Sequence, residues 1–236
     1  MPEDDIQKQK HLLRKRMLSL RSLISVSDAK RSDEAIRSQL LSLPQYKQAQ
    51  MIFCYASTAK EVDTLVFINE ALLAGKRICV PLCLNAGIMQ AQEITSLNEL
   101  SKGKMGILEP PMSAAVIPKH EIDMIVVPCV AADKNGFRLG YGGGYYDRYL
   151  NNYRTASETG HMAASENSYR AVNETSCRAA NETSYSGASE TSAARSTGNA
   201  HNDLVPFAVL LCRSQLLLDA VPKAKHDVCA DLLITG

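Results

Sequence analysis

Short apolar runs set between helix-forming stretches constrain this chain more than any other feature. Met51–Tyr55, Arg77–Pro81, Asp123–Val127 and Val205–Leu211 each have the length of one strand and are too short for an ordinary helix. Asp123-Met124-Ile125-Val126-Val127 is apolar on both faces after its first residue, as in a strand covered on two sides. Gly87–Glu93 is a weaker edge strand, and Leu232–Thr235 offers a last short one. The stretches between them read as helices. Residues 5–25 place Ile6, Leu13, Met17, Leu20 and Ile24 on one stripe, with Lys8, Lys10, Arg14, Lys15, Arg16 and Arg21 on the other faces. Ser27 is placed to cap a second helix from Asp28 to Leu43, which Pro44 stops. Asp63–Ala74 predicts a third helix, ended by Gly75, and Gly144–Asn151 a fourth. Strands alternating with helices predict a three-layer αβα fold around a mostly parallel sheet.

Residues 151–203 break this pattern. Ser, Thr, Asn, Ala and Glu dominate there, and five octads run from Ser157 to Ser196. A period of eight matches neither an apolar helical face nor a heptad, and its repeated positions are polar. Such a segment buries too little apolar area to offset its ordering entropy, so a disordered insertion in a surface loop is expected. The whole of 1–236 then reads as a single domain interrupted once, its chain being 45% apolar and able to build a core.

Charge and cysteine usage narrow the class. Lys plus Arg count 26 against 25 Asp plus Glu, which excludes a nucleic-acid binder that works by bulk charge. The sequence has no apolar run long enough to span a membrane, and its acidic start lacks the apolar core of a secretory leader. Seven scattered cysteines without a C-x-x-C pair read as buried, reduced thiols of a cytoplasmic protein.

The stretch from Asp133 to Arg148 concentrates the chemistry. Gly140, Gly142, Gly143 and Gly144 follow a strand and turn and open a helix. Glycine tolerates positive φ and lets main-chain N–H groups approach a polyanion. A helix start adds unpaired donors and partial positive charge. This is the physics of a phosphate cradle, although the glycines alone also fit a flexible turn. The spacing is neither G-x-x-x-x-G-K-[ST] nor G-x-G-x-x-G, so it is neither a P-loop nor a dinucleotide fingerprint. Asp147 just beyond is a carboxylate able to hold Mg²⁺ beside phosphates, or to pair with a nearby cation. Arg138 is placed to neutralise phosphate oxygens.

Arg138-Leu139-Gly140-Tyr141-Gly142-Gly143-Gly144-Tyr145-Tyr146-Asp147-Arg148 resembles the signature loop of the 5-formyltetrahydrofolate cyclo-ligase family. Three other segments agree with it, in the same order along the chain. Lys10-His11-Leu12-Leu13-Arg14 resembles the family's Lys-x-x-Leu-Arg stretch, Glu61-Val62-Asp63-Thr64 its Glu-x-x-Thr motif, and Val221-Pro222 with His226-Asp227 its C-terminal metal-binding segment. The resemblance implies ATP- and Mg²⁺-dependent closure of 5-formyltetrahydrofolate, with or without a polyglutamate tail, to 5,10-methenyltetrahydrofolate. It implies that Lys10, His11, Leu12, Leu13, Arg14, Arg138, Leu139, Gly140, Tyr141, Gly142, Gly143, Gly144, Tyr145 and Tyr146 hold ATP. By the same resemblance Ala56, Glu61 and Tyr145 border the folate, and Asp147 and Asp227 flank Mg²⁺. Some family members carry basic residues where Tyr141 and Gly143 stand, so those two positions bring no side-chain charge here. A non-catalytic folate- or nucleotide-binding relative is the other reading of the same motifs. On residue types alone, Lys10 and Arg14 also fit a solvated helix face, and Glu61 fits an early-helix carboxylate.

Overall fold

The computed structural model describes residues 3–84, 87–103, 106–151 and 205–236. Nearly all of the expected insertion, residues 152–203, therefore lies outside the described residues.

The elements run α1 (Glu3–Ser22), α2 (Val26–Ser42), α3 (Pro44–Gln48), β1 (Met51–Cys54), α4 (Leu65–Leu73), β2 (Arg77–Cys83), β3 (Met89–Ile94), β4 (Ser101–Lys102), β5 (Leu108–Glu109), β6 (Met124–Val127), β7 (Ala131–Asp133) and β8 (Arg138–Leu139). A helical segment at residues 145–151, α5, follows. After it come β9 (Phe207–Cys212), β10 (Leu217–Leu218) and β11 (Leu232–Thr235).

The main sheet has the order β11-β9-β6-β1-β2-β3. Its neighbours are parallel except for the edge strand β3, which pairs antiparallel with β2. Alternating residues feed two cores, one on each face. Phe53, Cys79, Ile125, Val127 and Leu210 point to one side with Met17 of α1 and Tyr149 and Leu150 of α5. Ile52, Ile78, Met124, Val126 and Val209 point to the other with Ile36 and Leu40 of α2 and Phe67 and Ile68 of α4. Phe53, Ile52, Ile125 and Ile78 are wholly shielded from solvent, each contributing roughly 1.5–3 kcal/mol by burial. The three-layer αβα reading therefore holds, with one addition. On the α1 side a small sheet, β10-β7-β8, completes the outer layer, and the sequence analysis named none of its three strands.

Several boundaries differ from the sequence expectation for local reasons. The cap of α2 is Ser25, not Ser27: its extended backbone turns the chain, and its hydroxyl accepts the Asp28 N–H at 3.1 Å. Pro44 does end α2, but it also opens α3 from its first turn, where the missing N–H costs nothing. β2 runs on through Pro81 because β1 pairs only as far as Cys79, so the side that lacks a donor faces no partner strand. On α1 the stripe is shifted: Leu20 is 40% exposed while Lys10 and Arg21 are buried.

No helix among the described residues is long and apolar enough to cross a membrane. Cys54, Cys79, Cys83, Cys129 and Cys212 are free thiols, and all but Cys83 are buried.

Candidate active site

The chain leaves β1 to build β2 on one side and returns to build β6 on the other. Open α/β sheets bind ligands outside the carboxyl ends of the strands at such a reversal. Here that place is occupied by the turn after β1, which carries Glu61, and by the loop after β8, which carries the glycines.

The glycine loop has the backbone its composition predicts. Gly142 and Gly144 have φ of 101° and 65°. A Cβ on Gly143 would lie 2.8 Å from the Tyr145 ring, so that position also excludes a side chain as the ring stands. Among the described residues, Tyr141, Gly142, Gly143 and Gly144 donate no backbone hydrogen bond. Two carbonyls of the loop, by contrast, accept from arginine side chains. Gly140 O accepts Arg14 Nε at 2.7 Å, and Gly143 O accepts an Arg148 guanidinium N–H. Arg14 thus lies along the loop, with its guanidinium carbon 3.5 Å from where a Gly142 Cβ would stand. Partial burial pulls the Arg14 guanidinium down from its ordinary pKa, although it remains a cation at any working pH.

The two candidate metal residues are linked through Val228, the neighbour of Asp227. Asp147 Oδ1 pairs with Arg138 Nη2 at 2.7 Å and accepts the Val228 N–H at 3.3 Å. Asp227 Oδ2 pairs with Lys10 and accepts the Ala224 N–H at 2.7 Å. Asn151 Nδ2 donates to His226 O at 2.9 Å and closes the same corner. Among the described residues no group of three or more His, Cys, Asp or Glu is gathered for a metal. Two hard oxygen donors beside a phosphate cradle nevertheless fit Mg²⁺, which takes one or two carboxylates and completes its shell with phosphate and water.

Glu61 is 9% exposed and lies in the turn before α4, not in that helix, so the helix-dipole reading does not apply. Its Oε2 accepts the Thr58 N–H and the Thr58 hydroxyl, both at 2.8 Å. Thr64, the last residue of the same motif, holds the turn shut: its hydroxyl accepts the Ser57 N–H at 3.1 Å. Tyr141 faces Glu61 and receives an Arg21 guanidinium N–H at 2.6 Å. Desolvation, with the Glu61 charge adding to it, pushes the Tyr141 phenol up to about 12. A cleft of about 350 Å³ opens here, lined by Leu18, Arg21, Thr58, Ala59, Lys60 and Tyr141.

The remaining expected residues are distributed as follows. Lys10, Leu13 and Arg14 face inward, whereas His11 is exposed and Leu12 is 67% exposed. Leu139 and Ala56 are buried, so either can meet a ligand only through the main chain or a small surface. Tyr145 donates to Leu84 O at 3.4 Å. Tyr146 stacks on Phe53 at 6.2 Å, with its hydroxyl buried and, among the described residues, without a hydrogen bond.

Arg21 is the residue the sequence reading passed over. Besides Tyr141 it binds the carbonyls of Cys129 and Val130, tying α1 to the end of the sheet. Lys10, Arg14, Met17 and Arg21 recur at helical spacing, so a stripe combining cations with an apolar residue was the available signal.

Comparison with known proteins decides the family. The pattern of the 5-formyltetrahydrofolate cyclo-ligase family matches residues 6–166. The chain belongs to the 5-formyltetrahydrofolate cyclo-ligase family. It is accordingly a ligase. A Schizosaccharomyces pombe protein named a probable 5-formyltetrahydrofolate cyclo-ligase is 34% identical over 147 residues, which are 58% of this chain and 72% of that one. The 5-formyltetrahydrofolate cyclo-ligase of Haemophilus influenzae is 27% identical, over 61% of this chain and 79% of its own. Among solved structures, the 5,10-methenyltetrahydrofolate synthetase of Aquifex aeolicus superposes with a TM-score of 0.66 at 24% identity, covering 96% of this chain and 89% of that one. That likeness shows that the cyclo-ligase family member described here shares its fold.

Proposed function

We propose that the chain closes 5-formyltetrahydrofolate to 5,10-methenyltetrahydrofolate, using ATP and releasing ADP and phosphate. The formyl oxygen attacks the γ-phosphorus, and the bond from that phosphorus to the β-γ bridging oxygen breaks. The neighbouring side-chain nitrogen of the folate then attacks the phosphorylated carbon and loses its proton. Phosphate leaves with the former formyl oxygen. Phosphorylation thereby turns a weak amide electrophile into one with a good leaving group. The protein's task is to place two reactants in line and balance charge, which needs no nucleophilic side chain.

The residues divide that task by position. The N–H groups of Tyr141 to Gly144 would donate to the triphosphate, with Arg14 alongside and Arg138 behind. Lys10 would turn from Asp227 toward phosphate as ATP enters. Asp147 and Asp227 would hold Mg²⁺, which supplies charge neutralisation at the β- and γ-phosphate oxygens. Glu61, already shielded from water, would accept hydrogen bonds from the pterin, with Tyr145 and Ala56 bordering it.

One observation carries most of this reading. Among the described residues, four consecutive N–H groups donate no backbone hydrogen bond, in a loop where the Gly140 and Gly143 carbonyls accept from arginines. A donor-lined nest of this kind is an anion site. The test is the absorbance of methenyltetrahydrofolate formed from 5-formyltetrahydrofolate, with ATP and Mg²⁺ supplied together or one at a time. Product should accumulate only when both are present. No product with both present, alongside intact binding of either ligand, would favour the non-catalytic relative.

A further inference from the structure

Arg213 directly follows β9 and is 4% exposed. Its guanidinium meets Asp33 of α2 through Nε at 3.1 Å and through Nη2 at 2.8 Å to each carboxylate oxygen. The same group donates Nη1 to Lys60 O at 3.1 Å and Nη2 to Glu61 O at 2.7 Å. Three segments far apart in sequence thus converge on one side chain: the end of β9, the middle of α2 and the turn after β1. Its two main-chain acceptors are consecutive residues of the turn that bears the Glu61 carboxylate. Among the described residues, that turn is otherwise held by bonds within residues 55–64 and by the Asp63 backbone, which also meets the Asp33 carboxylate. A planar fork of donors fixes such a turn in direction as well as distance, which an ammonium group does not.

We infer that Arg213 is a positioning residue for the folate. It anchors the Lys60–Glu61 main chain to α2 through Asp33, and this sets where the Glu61 carboxylate meets the pterin. The inference rests on the reading of Glu61 as the folate acceptor. A purely structural role predicts a different pattern, since loosening the fold would weaken both ligands together.

Calorimetry on the full chain separates these cases, with 5-formyltetrahydrofolate and a non-hydrolysable ATP analogue with Mg²⁺ as separate titrants. Arg213→Gln should weaken folate binding about tenfold, the scale of one or two lost charge-assisted hydrogen bonds, and leave the nucleotide within about twofold. Placed on Glu61→Gln, the same change should add nothing further to the folate constant. Equal weakening of both ligands, or an unchanged folate constant where Glu61→Gln raises it, would overturn the inference. If Glu61→Gln itself leaves folate binding unchanged, the assignment of Glu61 fails first, and the positioning role goes with it. Should Arg213→Gln not fold, Asp33→Asn carries the test, because it keeps the guanidinium and its two carbonyl bonds but loses the anchor. Folate binding should then weaken about threefold with the nucleotide unaffected, and any other pattern overturns the proposal.

Discussion

At the residue scale, the candidate site consists of charges held in place by other charges before any ligand arrives. Asp147 is held by Arg138, whose side chain is only 3% exposed, so replacing the carboxylate disturbs both a metal donor and a buried cation. Asp147→Asn should raise the Mg²⁺ concentration for half-maximal rate roughly tenfold or more and lower turnover. It should also cost about 1–3 kcal/mol of stability, because the amide cannot offset the Arg138 charge. A magnesium titration beside a melting curve separates the two effects, and an unchanged titration would remove Asp147 from the metal. Tyr141 gives a second prediction. Although Tyr141 as a whole is 51% exposed, its phenol is displaced upward from the usual 10, to about 12, chiefly because that end of the ring is desolvated and next because Glu61 is negative. An acid whose folded pKa is raised ionises first in the unfolded chain. It therefore leaves stability unchanged below about pH 10 and erodes it between about 10 and 12. The spectrum of the protein minus that of Tyr141→Phe should show no phenolate until about pH 11, and a step near 10 would contradict the geometry. At this scale the sequence was legible where a residue type is rare in its setting, as with four glycines beside an aspartate. It was not legible where the role depends on partners brought from elsewhere. Nothing beside Arg21 or Arg213 in the chain announces Tyr141, Asp33 or the Glu61 carbonyl.

At the element scale, the β7–β8 hairpin and the loop after it use glycine for two different ends, and the same substitution separates them. Gly136 turns the hairpin at φ 78°, and a Cβ there would lie 2.8 Å from the Ala230 carbonyl oxygen. Backbone oxygen cannot swing aside, so Gly136→Ala should cost about 2–3 kcal/mol and lower the melting temperature. Gly142 has φ of 101°, yet its nearest neighbour would be the Arg14 side chain at 3.5 Å. Gly142→Ala should therefore cost the fold only about 1 kcal/mol, from backbone strain alone, while weakening nucleotide binding by about 1–2 kcal/mol, through a loop no longer able to hold its shape. Melting curves and nucleotide titrations of both variants test the pair, and matched losses in both would show that the loop is only a connection. The strands of the main sheet were legible because period and length agree over Met51–Cys54, Met124–Val127 and Phe207–Cys212. The hairpin was not, since Ala131–Asp133 and Arg138–Leu139 are too short for periodicity to register, and their pairing depends on Val130 N–H reaching Leu139 O.

At the scale of the whole molecule, the question is what the octads between α5 and β9 add. Among the described residues, those before 152 and those after 204 form a six-stranded and a three-stranded sheet. β9 enters the sheet between β6 and β11, both parallel to it. The length of the connection matters little once it can span the distance, because loop-closure entropy grows only with the logarithm of length. We therefore propose one catalytic domain carrying an insertion that its chemistry does not use. Deleting Ser157 to Ser196 should leave the rate of methenyltetrahydrofolate formation within about twofold and the melting temperature within about 2 °C, since under 1 kcal/mol is at stake. A larger fall in melting temperature would mean that the octads pack on the fold. A fall in rate alone, with melting unchanged, would place them at the mouth of the site, where α5 delivers Asp147 and the chain first departs toward them.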